Sequence, residues 1–466
     1  MYEVENPSGR YALEYIRKAL RRETAAAPLC GSDMAANTAA KTPAILITNA
    51  MALNGGDAAI LQATIAMLRE TCGEKTDFTV YDMMGKAPAR YYNDLRFRPQ
   101  LFAQIEKLTK RRPARIALSL GVLLLAKYGH TAPGRRLIAR LPPELRQSLA
   151  DYANADLVVS SGGTYLVPHY EVYSKLFDFL IAQAFGRRLV LFTQSLGPFP
   201  SGKRRLLLRY VLRRAHLILV RDEKSRRQLE ELGIAENVKA CADAAFALAP
   251  AALQGRDFPS RKPWRIAISV RDWPHFRTRT AAAGMERYLT AVTALTEHLV
   301  ERYAAEITFI STCQGTPEYW TDDGHTAERI VNRLPEGILR CVRCDRAFHT
   351  PAQLLAELQK HDLVVATRLH VAILSLCAGT PVLPIAYEFK TRELFERFGL
   401  DHATLDIEAV SPSRLIEAFE NATAFWQGRA DEAWSKVREE RQSALEAARH
   451  IEALLAAGTP EESSIR

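Results

Sequence analysis

The chain has 466 residues, 48% of them hydrophobic and 25% charged, and a formal net charge of +9. This composition is typical of a soluble globular protein, and the length excludes a single core and predicts two domains. Residues 1–42 contain no apolar h-region, so we expect no secretory signal peptide, and the longest apolar run, IALSLGVLLLA at 116–126, is too short to span a bilayer. The seven cysteines lack the spacing of a disulfide framework, so we expect reduced thiols and a cytoplasmic location.

The first half of the chain alternates apolar strands with helices after a poorly ordered extension, residues 1–42, that includes one expected helix at 11–23. Strands are predicted at AILITNA, FTVYDM, DLVVSSGG, LVLFTQSLG, LILVRD and VKACAD, with helices between them. These segments form an expected N-terminal domain, 43–250. A basic helical insertion at about 95–150 interrupts the alternation. Between Arg96 and Arg146 it has 12 Lys and Arg residues against two Glu, and a second stretch, 187–214, has eight basic residues and no acid.

The second half repeats the alternation after a polar segment bounded by Pro250 and Pro263, which we interpret as a linker. Strands are predicted at RIAISVRD, ITFISTCQG, ILRCVRC, DLVVATR and PVLPIAY. They form an expected C-terminal domain, 262–410, followed by amphipathic helices within 411–466. Uniformly apolar strands separated by helices indicate parallel sheets covered on both faces. The predicted fold class is therefore α/β, with two doubly wound, Rossmann-like domains facing a cleft.

Ligands in such sheets bind beyond the carboxyl ends of the strands, so the residues at those ends are the candidate site. The turn after the first strand allows two interpretations: its glycines admit a ligand to the backbone amides, or they form a tight turn with Asp57 as helix N-cap. In the loop SSGGTYL, a structural turn is the simpler interpretation. Among the strand-end residues of the first domain, the candidates are Asn54, Gly55, Gly56, Asp57, Gly162, Gly163 and Gln194.

Five basic residues also follow predicted strands, and they come from both halves of the chain. They are Arg221, Arg271, Arg368, His370 and Lys390. A buried arginine requires an acidic neighbour or an anionic ligand, and for Arg221 the adjacent Asp222 or Glu223 is the expected partner if no ligand binds. A set of five at strand ends favours a small ligand with two or more negative charges. The aspartates at 57, 243 and 345 are too scattered in the sequence to predict a metal site.

The ordered motifs NGGDAAI, DLVVSSGG, QSLGPF, VRDEKSRRQLEELG, SVRDW, TRLHVAI and YEFK resemble those of the polysaccharide pyruvyl transferase family over residues 44–400. The resemblance implies a fold of the glycosyltransferase-B type. It also implies transfer of a pyruvyl group from phosphoenolpyruvate to a sugar, which forms a cyclic ketal without a cofactor or a metal. The segment NAMALNGGD is plainer than the Gly/Tyr-rich turn of many members, so its role is the least defined.

The resemblance also implies a role for individual residues. His370 matches the proposed acid/base of the RLH motif, and Arg368 and Leu369 match donor-binding positions. Arg221 and Lys390 match positions that hold the phosphate or carboxylate of the donor, with Arg221 placed in the catalytic set, and Arg271 is expected nearby. Asn54 matches the NxGD-type loop.

Two other functions remain open at this point. A nucleotide-sugar glycosyltransferase of the same fold would need an acidic residue near a strand end of the second domain, and Glu388 fits that requirement. A non-catalytic scaffold at a membrane surface is the other, because the basic stretch 96–146 suits anionic lipid. The expected partners are phosphoenolpyruvate and a glycan or lipid-linked glycan at the inner face of the membrane. Nucleic acid is not expected, since no aromatic stacking platform accompanies the charge.

Overall fold

The computed structural model describes residues 43–167, 171–199, 202–256 and 262–456. The expected extension at 1–42, with its helix, and part of the expected linker lie outside these ranges. The chain forms two compact units. The first unit has 43–50, 68–219 and 224–239, and the second has 51–67, 220–223 and the chain from residue 240 onward.

An eight-stranded sheet organises the first unit, with β4 in the middle of its main path. The strands are β1 Ala44–Ala50, β2 Asp77–Asp82, β3 Arg96–Pro99, β4 Leu157–Ser160, β5 Gly163–Leu166, β6 Arg188–Leu196, β7 Leu217–Val220 and β8 Val238–Ala240. Their order is β3-β2-β1-β4-β6-β7-β8, and β5 pairs with β6. Strand β1 pairs in parallel with β2 and β4, and Ile45 lies opposite Phe78 and Leu157 in these two pairs.

The helices between these strands follow the predicted alternation. They are α1 Gly55–Cys72, α2 Leu101–Leu108, α3 Arg112–Tyr128, α4 Ala132–Ala139, α5 Pro143–Asn154, α6 Tyr173–Ala184, α7 Lys203–Arg213 and α8 Glu223–Glu231. A short 3₁₀ helix, Ala87–Arg90, precedes β3. Helices α2–α5 form the basic insertion that the sequence predicted, and they follow an edge strand, β3, that it did not predict.

A six-stranded parallel sheet organises the second unit. Its strands are β9 Arg265–Ser269, β10 Glu306–Phe309, β11 Val342–Cys344, β12 Leu363–Ala366, β13 Val382–Ala386 and β14 Leu405–Asp406, in the order β11-β10-β9-β12-β13-β14. Its helices are α9 Ala281–Tyr303, α10 Asp323–Val331, α11 Glu336–Leu339, α12 Pro351–Leu358, α13 Leu369–Cys377, α14 Phe389–Arg397, α15 Pro412–Gly428 and α16 Ala430–Ala456, with 3₁₀ helices at Ala244–Leu248 and Ile407–Ala409.

The central strands are apolar throughout because helices cover both of their faces. Every residue of β4, β7, β12 and β13 is buried. This burial is the reason that the hydrophobic runs predicted these strands well. The prediction of two doubly wound parallel α/β sheets is confirmed, and it missed only short or polar strands such as β3, β5 and β14. Among the described residues, no helix combines the length and the apolar character that crossing a membrane requires.

Candidate active site

The turn after β1 is shaped by contacts with the second unit, to which it belongs. The side chain of Asn54 accepts a hydrogen bond from the Gly56 amide at 3.0 Å, and the Gly55 amide donates to the Thr312 carbonyl at 2.8 Å. Asn54 is therefore the residue that caps α1, and the interpretation of Asp57 as N-cap is wrong: Asp57 lies inside the first turn of the helix. A cap side chain must precede the helix to reach its free amides.

The two glycines of this turn are required by protein groups that approach them closely. A Cβ atom on Gly56 would lie 2.5 Å from Nδ1 of His370, and one on Gly55 would lie 2.8 Å from the Thr312 carbonyl oxygen. A Cβ atom essentially never lies this close to an atom to which it is not bonded. The helix N-terminus can therefore pack against the imidazole only because residue 56 has no side chain. Gly56 thus fixes one side of His370.

Asp243 lies on the other side of the same imidazole. Its Oδ2 atom is 3.5 Å from Nε2 of His370 and accepts a hydrogen bond from Arg221, while its Oδ1 atom accepts one from the Ala245 amide at 3.0 Å. Burial opposes the ionisation of Asp243, but Arg221 and His370 outweigh it and hold the pKa of this carboxyl well below its usual range. Asp243 is therefore a salt-bridge partner of Arg221 that the sequence did not predict.

Asp57 belongs to the same cluster. Burial raises the pKa of its carboxyl, while His370, Arg221 and Lys390 act in the opposite direction. Asp57 and Asp243 are far apart in the sequence, but the fold brings both to His370. Asp345, the third aspartate of that set, instead pairs with His349 at 2.8 Å.

Arg368 lies between β12 and α13, at the N-cap position of the helix, and the structure supplies its counter-charge. Its Nε and Nη2 atoms donate to the two carboxylate oxygens of Asp323 at 2.8 and 2.6 Å, and the Asp323 side chain is only 1% exposed. This bidentate pair uses two of the five N–H donors of the guanidinium. Of the two compensations that the sequence left open, the acidic neighbour is present, and Leu369 beside it is buried in the core.

The remaining two basic candidates follow β9 and β13. Lys390 pairs with Glu388 at 2.8 Å. Burial would raise the pKa of Glu388, but Lys390 more than offsets this and lowers it below the usual value. The guanidinium of Arg271 lies over the ring of Tyr387, 4.2 Å from its centroid, with Trp273 also within 5.0 Å. Arg271 makes no ion pair with any residue in the described ranges.

These contacts define a cluster, here called the His370 cluster, that consists of His370, Asp57, Arg221, Asp243, Glu388 and Lys390. All six residues belong to the second unit. A titratable imidazole is held between a helix N-terminus and an ionised carboxylate, with two cations close by. This arrangement can hold an anionic substrate and move a proton at the imidazole.

Sequence reasoning missed Asp243, Asp323 and Tyr319. Tyr319 is the group to which the Asn54 side chain donates at 3.4 Å. Asp243 ends the predicted segment VKACAD, and Asp323 lies in TDDGH at the start of a predicted helix, so their positions beside strand ends were the available signal. Among the described residues, no group of three or more His, Cys, Asp and Glu side chains has a metal-binding arrangement.

The other three candidates lie in the first unit. Gly163 begins β5 and adopts a φ of 147°, and Gly162 is buried beside it. Gln194 is fully buried in β6, and its amide nitrogen donates to the Ser161 carbonyl at 2.7 Å. Gln194 therefore supports the loop 161–163 from within. The preceding residue, Thr193, has a φ of 39°, which is rare for a β-branched residue.

Comparison with known proteins identifies the family. Residues 54–388 match polysaccharide pyruvyl transferases, a range that contains every candidate above except Lys390. The chain belongs to the polysaccharide pyruvyl transferase family. The resemblance found in the sequence is thus confirmed, and the protein is an enzyme of pyruvyl transfer with a polysaccharide as acceptor.

One curated relative is the amylovoran biosynthesis protein AmsJ of Erwinia amylovora. It is 25% identical over 388 residues, which cover 80% of this chain and 90% of the relative. Its role in amylovoran biosynthesis agrees with the family assignment.

Solved structures of other enzymes share the fold. A UDP-GlcNAc 2-epimerase from Methanocaldococcus jannaschii aligns with a TM-score of 0.53 at 12% identity, covering 89% of this chain and 99% of the other. A UDP-forming trehalose-phosphate synthase from Burkholderia xenovorans aligns with a TM-score of 0.51 at 15% identity, covering 89% of this chain and 100% of the other. These enzymes have the glycosyltransferase-B fold, and the prediction of that fold is confirmed.

Proposed function

We propose that this family member takes its pyruvyl group from phosphoenolpyruvate and forms a cyclic ketal on two hydroxyls of one sugar. A proton adds to the methylene carbon of the donor, and the first hydroxyl bonds to the resulting cationic carbon as it loses its proton. The bond to phosphate then breaks, and the second hydroxyl bonds to the same carbon. One proton is consumed and two are released, so one proton leaves with the phosphate.

In this proposal, His370 supplies the proton to the methylene carbon and recovers one from the first hydroxyl. The observation that carries the assignment is the position of its imidazole, between the Gly56 backbone and the carboxylate of Asp243 at 3.5 Å. The ionised carboxylate of Asp243 is placed to orient the imidazole for proton transfer. A general acid–base group of this kind contributes roughly 10²–10⁴-fold to a rate.

The cations of the second unit hold the donor in this proposal. Arg221 and Lys390 lie beside His370 and neutralise the leaving phosphate, so Arg221 acts in catalysis. Arg368, with the buried Leu369 behind it, binds the carboxylate through the donors that Asp323 does not use. Arg271, stacked on Tyr387, is the fourth cation and the one with no carboxylate partner in the described ranges.

For the turn at Asn54–Asp57 we propose a positioning role toward His370, and for the loop at Gly162, Gly163 and Gln194 a role on the acceptor side. The support for the second is the backbone of Thr193, since strained residues cluster at functional sites. A sugar with a free diol binds there through neutral hydrogen bonds.

The donor can be tested by ligand stabilisation of the purified protein. Phosphoenolpyruvate should raise the melting temperature, whereas UDP and GDP should leave it unchanged. Incubation with phosphoenolpyruvate and candidate glycans, followed by mass spectrometry, should show the gain of one pyruvyl ketal. Stabilisation by UDP or GDP without such a product would contradict the proposal and favour a nucleotide-sugar glycosyltransferase.

One observation bears on the glycosyltransferase alternative. A nucleotide-sugar glycosyltransferase would require Glu388 to recognise a ribose or a base, but the Glu388 carboxylate already forms a salt bridge with Lys390 at 2.8 Å. The scaffold alternative has no comparable support, since the family is enzymatic.

We also propose that the acceptor is a lipid-linked polysaccharide precursor and that the protein works in the cytoplasm, peripherally attached to the inner face of the membrane. The basic insertion supports this location. Deletion of residues 100–145 should impair action on lipid-linked acceptors more than on soluble sugars, and an equal loss on both would contradict the location.

A further inference from the structure

Helix α3 carries an exposed apolar stripe that nothing in the described residues covers. Its four members recur at every fourth position and are each 50–58% exposed: Ile116, Leu120, Leu124 and Tyr128. The opposite face, with Leu118, Val122 and Ala126, is buried. At 1.5 Å per residue, the stripe is about 18 Å long. Single exposed apolar residues are common, but an aligned row of this length indicates an interaction surface.

Helix α7 has a second, shorter apolar stripe of the same kind. Leu206 is 66% exposed and Tyr210, one turn later, is 50% exposed. The Arg214 guanidinium lies 3.7 Å from the Tyr210 ring centroid, and Lys127 lies 5.4 Å from that of Tyr128 on α3. In both helices, the apolar stripe is thus bordered by cations.

The fold places the two stripes in one layer of helices. Both α3 and α7 pack against α6. The connections from β3 to β4, from β4 to β6 and from β6 to β7 all advance in the same direction along the sheet. Because crossovers between parallel strands are right-handed, their helices lie on the same face of the sheet. The two basic stretches that the sequence showed separately therefore lie on one face of the sheet, and α6 contacts a helix of each.

The charge of this layer is one-sided. Its exposed cations lie near the ends of α3, on α4 and along α7, and they are Lys110, Arg111, Arg112, Lys127, Arg135, Arg136, Lys203, Arg204, Arg209, Arg213 and Arg214. The acids nearby are few: between Arg96 and Arg146 they are Glu106 and Glu144, and Glu106 is paired with Arg115 at 2.7 Å. A surface that is both apolar and strongly basic is complementary to an anionic lipid bilayer.

We infer that the outer faces of α3 and α7 form one docking surface for anionic lipid, here called the α3–α7 face. The apolar stripes enter the boundary between head groups and acyl chains, and the flanking cations contact lipid phosphates. This docking surface rests on the proposed function, since binding to anionic lipid brings the protein to lipid-linked acceptors. It adds α7, and it assigns binding to named side chains rather than to the charge of the insertion alone.

The test is binding of the full-length protein to vesicles, measured by sedimentation without donor or acceptor. Vesicles of phosphatidylcholine with about 30% phosphatidylglycerol should retain the protein, and pure phosphatidylcholine should not.

Arg111→Gln with Arg112→Gln should lower the partition coefficient about 25-fold, at about fivefold per cation. Leu120→Ser with Leu124→Ser should lower it at least about tenfold at unchanged net charge. Leu206→Ser with Tyr210→Ser should also weaken binding, which tests the contribution of α7.

Matched controls separate this surface from general charge or hydrophobicity. Arg340→Gln with Arg449→Gln removes two exposed cations from the second unit, and Leu339→Ser removes an apolar side chain that is 38% exposed there. Both should bind as the wild type does, and all variants should keep the wild-type melting temperature.

Three results would overturn the inference: no binding of the wild type to anionic vesicles, equal losses in the controls, or self-association of the wild type that the α3 variant abolishes. The last would assign the stripe to a second copy of the chain. Because vesicle binding needs no turnover, a protein that binds vesicles but transfers no pyruvyl group would refute only the proposed reaction.

Discussion

The two units differ in the chemistry of the polar groups that lie near strand ends. In the second unit, the polar groups near the strand ends are charged and arranged in opposite pairs, such as Arg221 with Asp243 and Arg368 with Asp323. In the first unit, the corresponding groups are buried and neutral for the most part. They include Thr48, Asn49, Ser160, Ser161, Thr193 and Gln194.

The first unit also contains the buried carboxyl of Asp178, which accepts a hydrogen bond from Thr48 at 2.5 Å. Burial raises the pKa of Asp178 to about 6, despite this bond and the nearby Lys175. In the second unit, Arg221 holds the pKa of Asp243 below its usual range. The comparison shows that burial alone does not determine the state of a carboxyl. The guanidinium paired with Asp243 outweighs desolvation, whereas the Thr48 hydroxyl and Lys175 do not outweigh it at Asp178.

The largest expected effect is on catalysis by the second unit. His370→Gln should lower pyruvyl transfer about 10³-fold, because it removes the group that we propose gives and takes the proton. His402→Gln, at an exposed position, is the matched control and should retain full activity. Turnover of phosphoenolpyruvate by the purified variants, with phosphate release as readout, measures both. Full activity of His370→Gln would remove the acid/base assignment.

The charge pairing of the second unit is tested by Arg368. Arg368→Ala leaves the buried Asp323 carboxylate without its partner and should cost about 3–5 kcal/mol of unfolding free energy. Arg368→Met combined with Asp323→Asn removes both charges and should recover much of that stability without recovering activity. Denaturant unfolding and phosphate release measure the two effects. Activity in the double variant would show that Arg368 does not bind the donor.

The packing around His370 is tested by Gly56→Ala. The added methyl group would lie 2.5 Å from the imidazole nitrogen, so the ring must move, and an error of about 1 Å in a reacting group costs about 100-fold in rate. The control is Gly337→Ala, where a Cβ has no atom within 4 Å. A Gly56→Ala enzyme with wild-type rate would show that the close contact does not position the imidazole.

The last of these effects concerns Asp178, the buried carboxyl of the first unit. It makes stability depend on pH in the direction opposite to that of Asp243. Since the folded pKa of Asp178 is raised to about 6, folding favours the protonated acid, and stability falls as pH rises from about 4 to about 6. Asp178→Asn removes this titration. Relative to wild type, it should gain up to about 3 kcal/mol between pH 4 and pH 8.

Unfolding by urea at several pH values measures this gain. Asp243 serves as the contrast, because its pKa is lower in the folded than in the unfolded protein. Its ionised carboxylate therefore stabilises the fold at pH values above the unfolded pKa, and this stability is lost as pH falls through the folded pKa. A pH-independent difference between Asp178→Asn and wild type would show that Asp178 is not the titrating group.

Much of the fold could be predicted because the central strands are buried on both faces and therefore read as apolar runs. The strands that were missed lack this signal: β3 has the sequence RFRP at a sheet edge, and β14 has two residues. For the candidate site, the basic residues could be located, since each follows an apolar run. Their acidic partners could not, because Arg221 and Asp243 are 22 residues apart and Arg368 and Asp323 are 45 apart.

The sequence by itself determined the two parallel α/β sheets, the family and the five basic residues at strand ends, because these depend on local hydrophobic runs and on ordered motifs. Only the tertiary structure decided that most of those cations already have carboxylate partners, that Gly56 packs against His370, and that the stripes of α3 and α7 share one layer. These features are contacts between distant segments, and a contact is set by how the chain packs rather than by any segment alone.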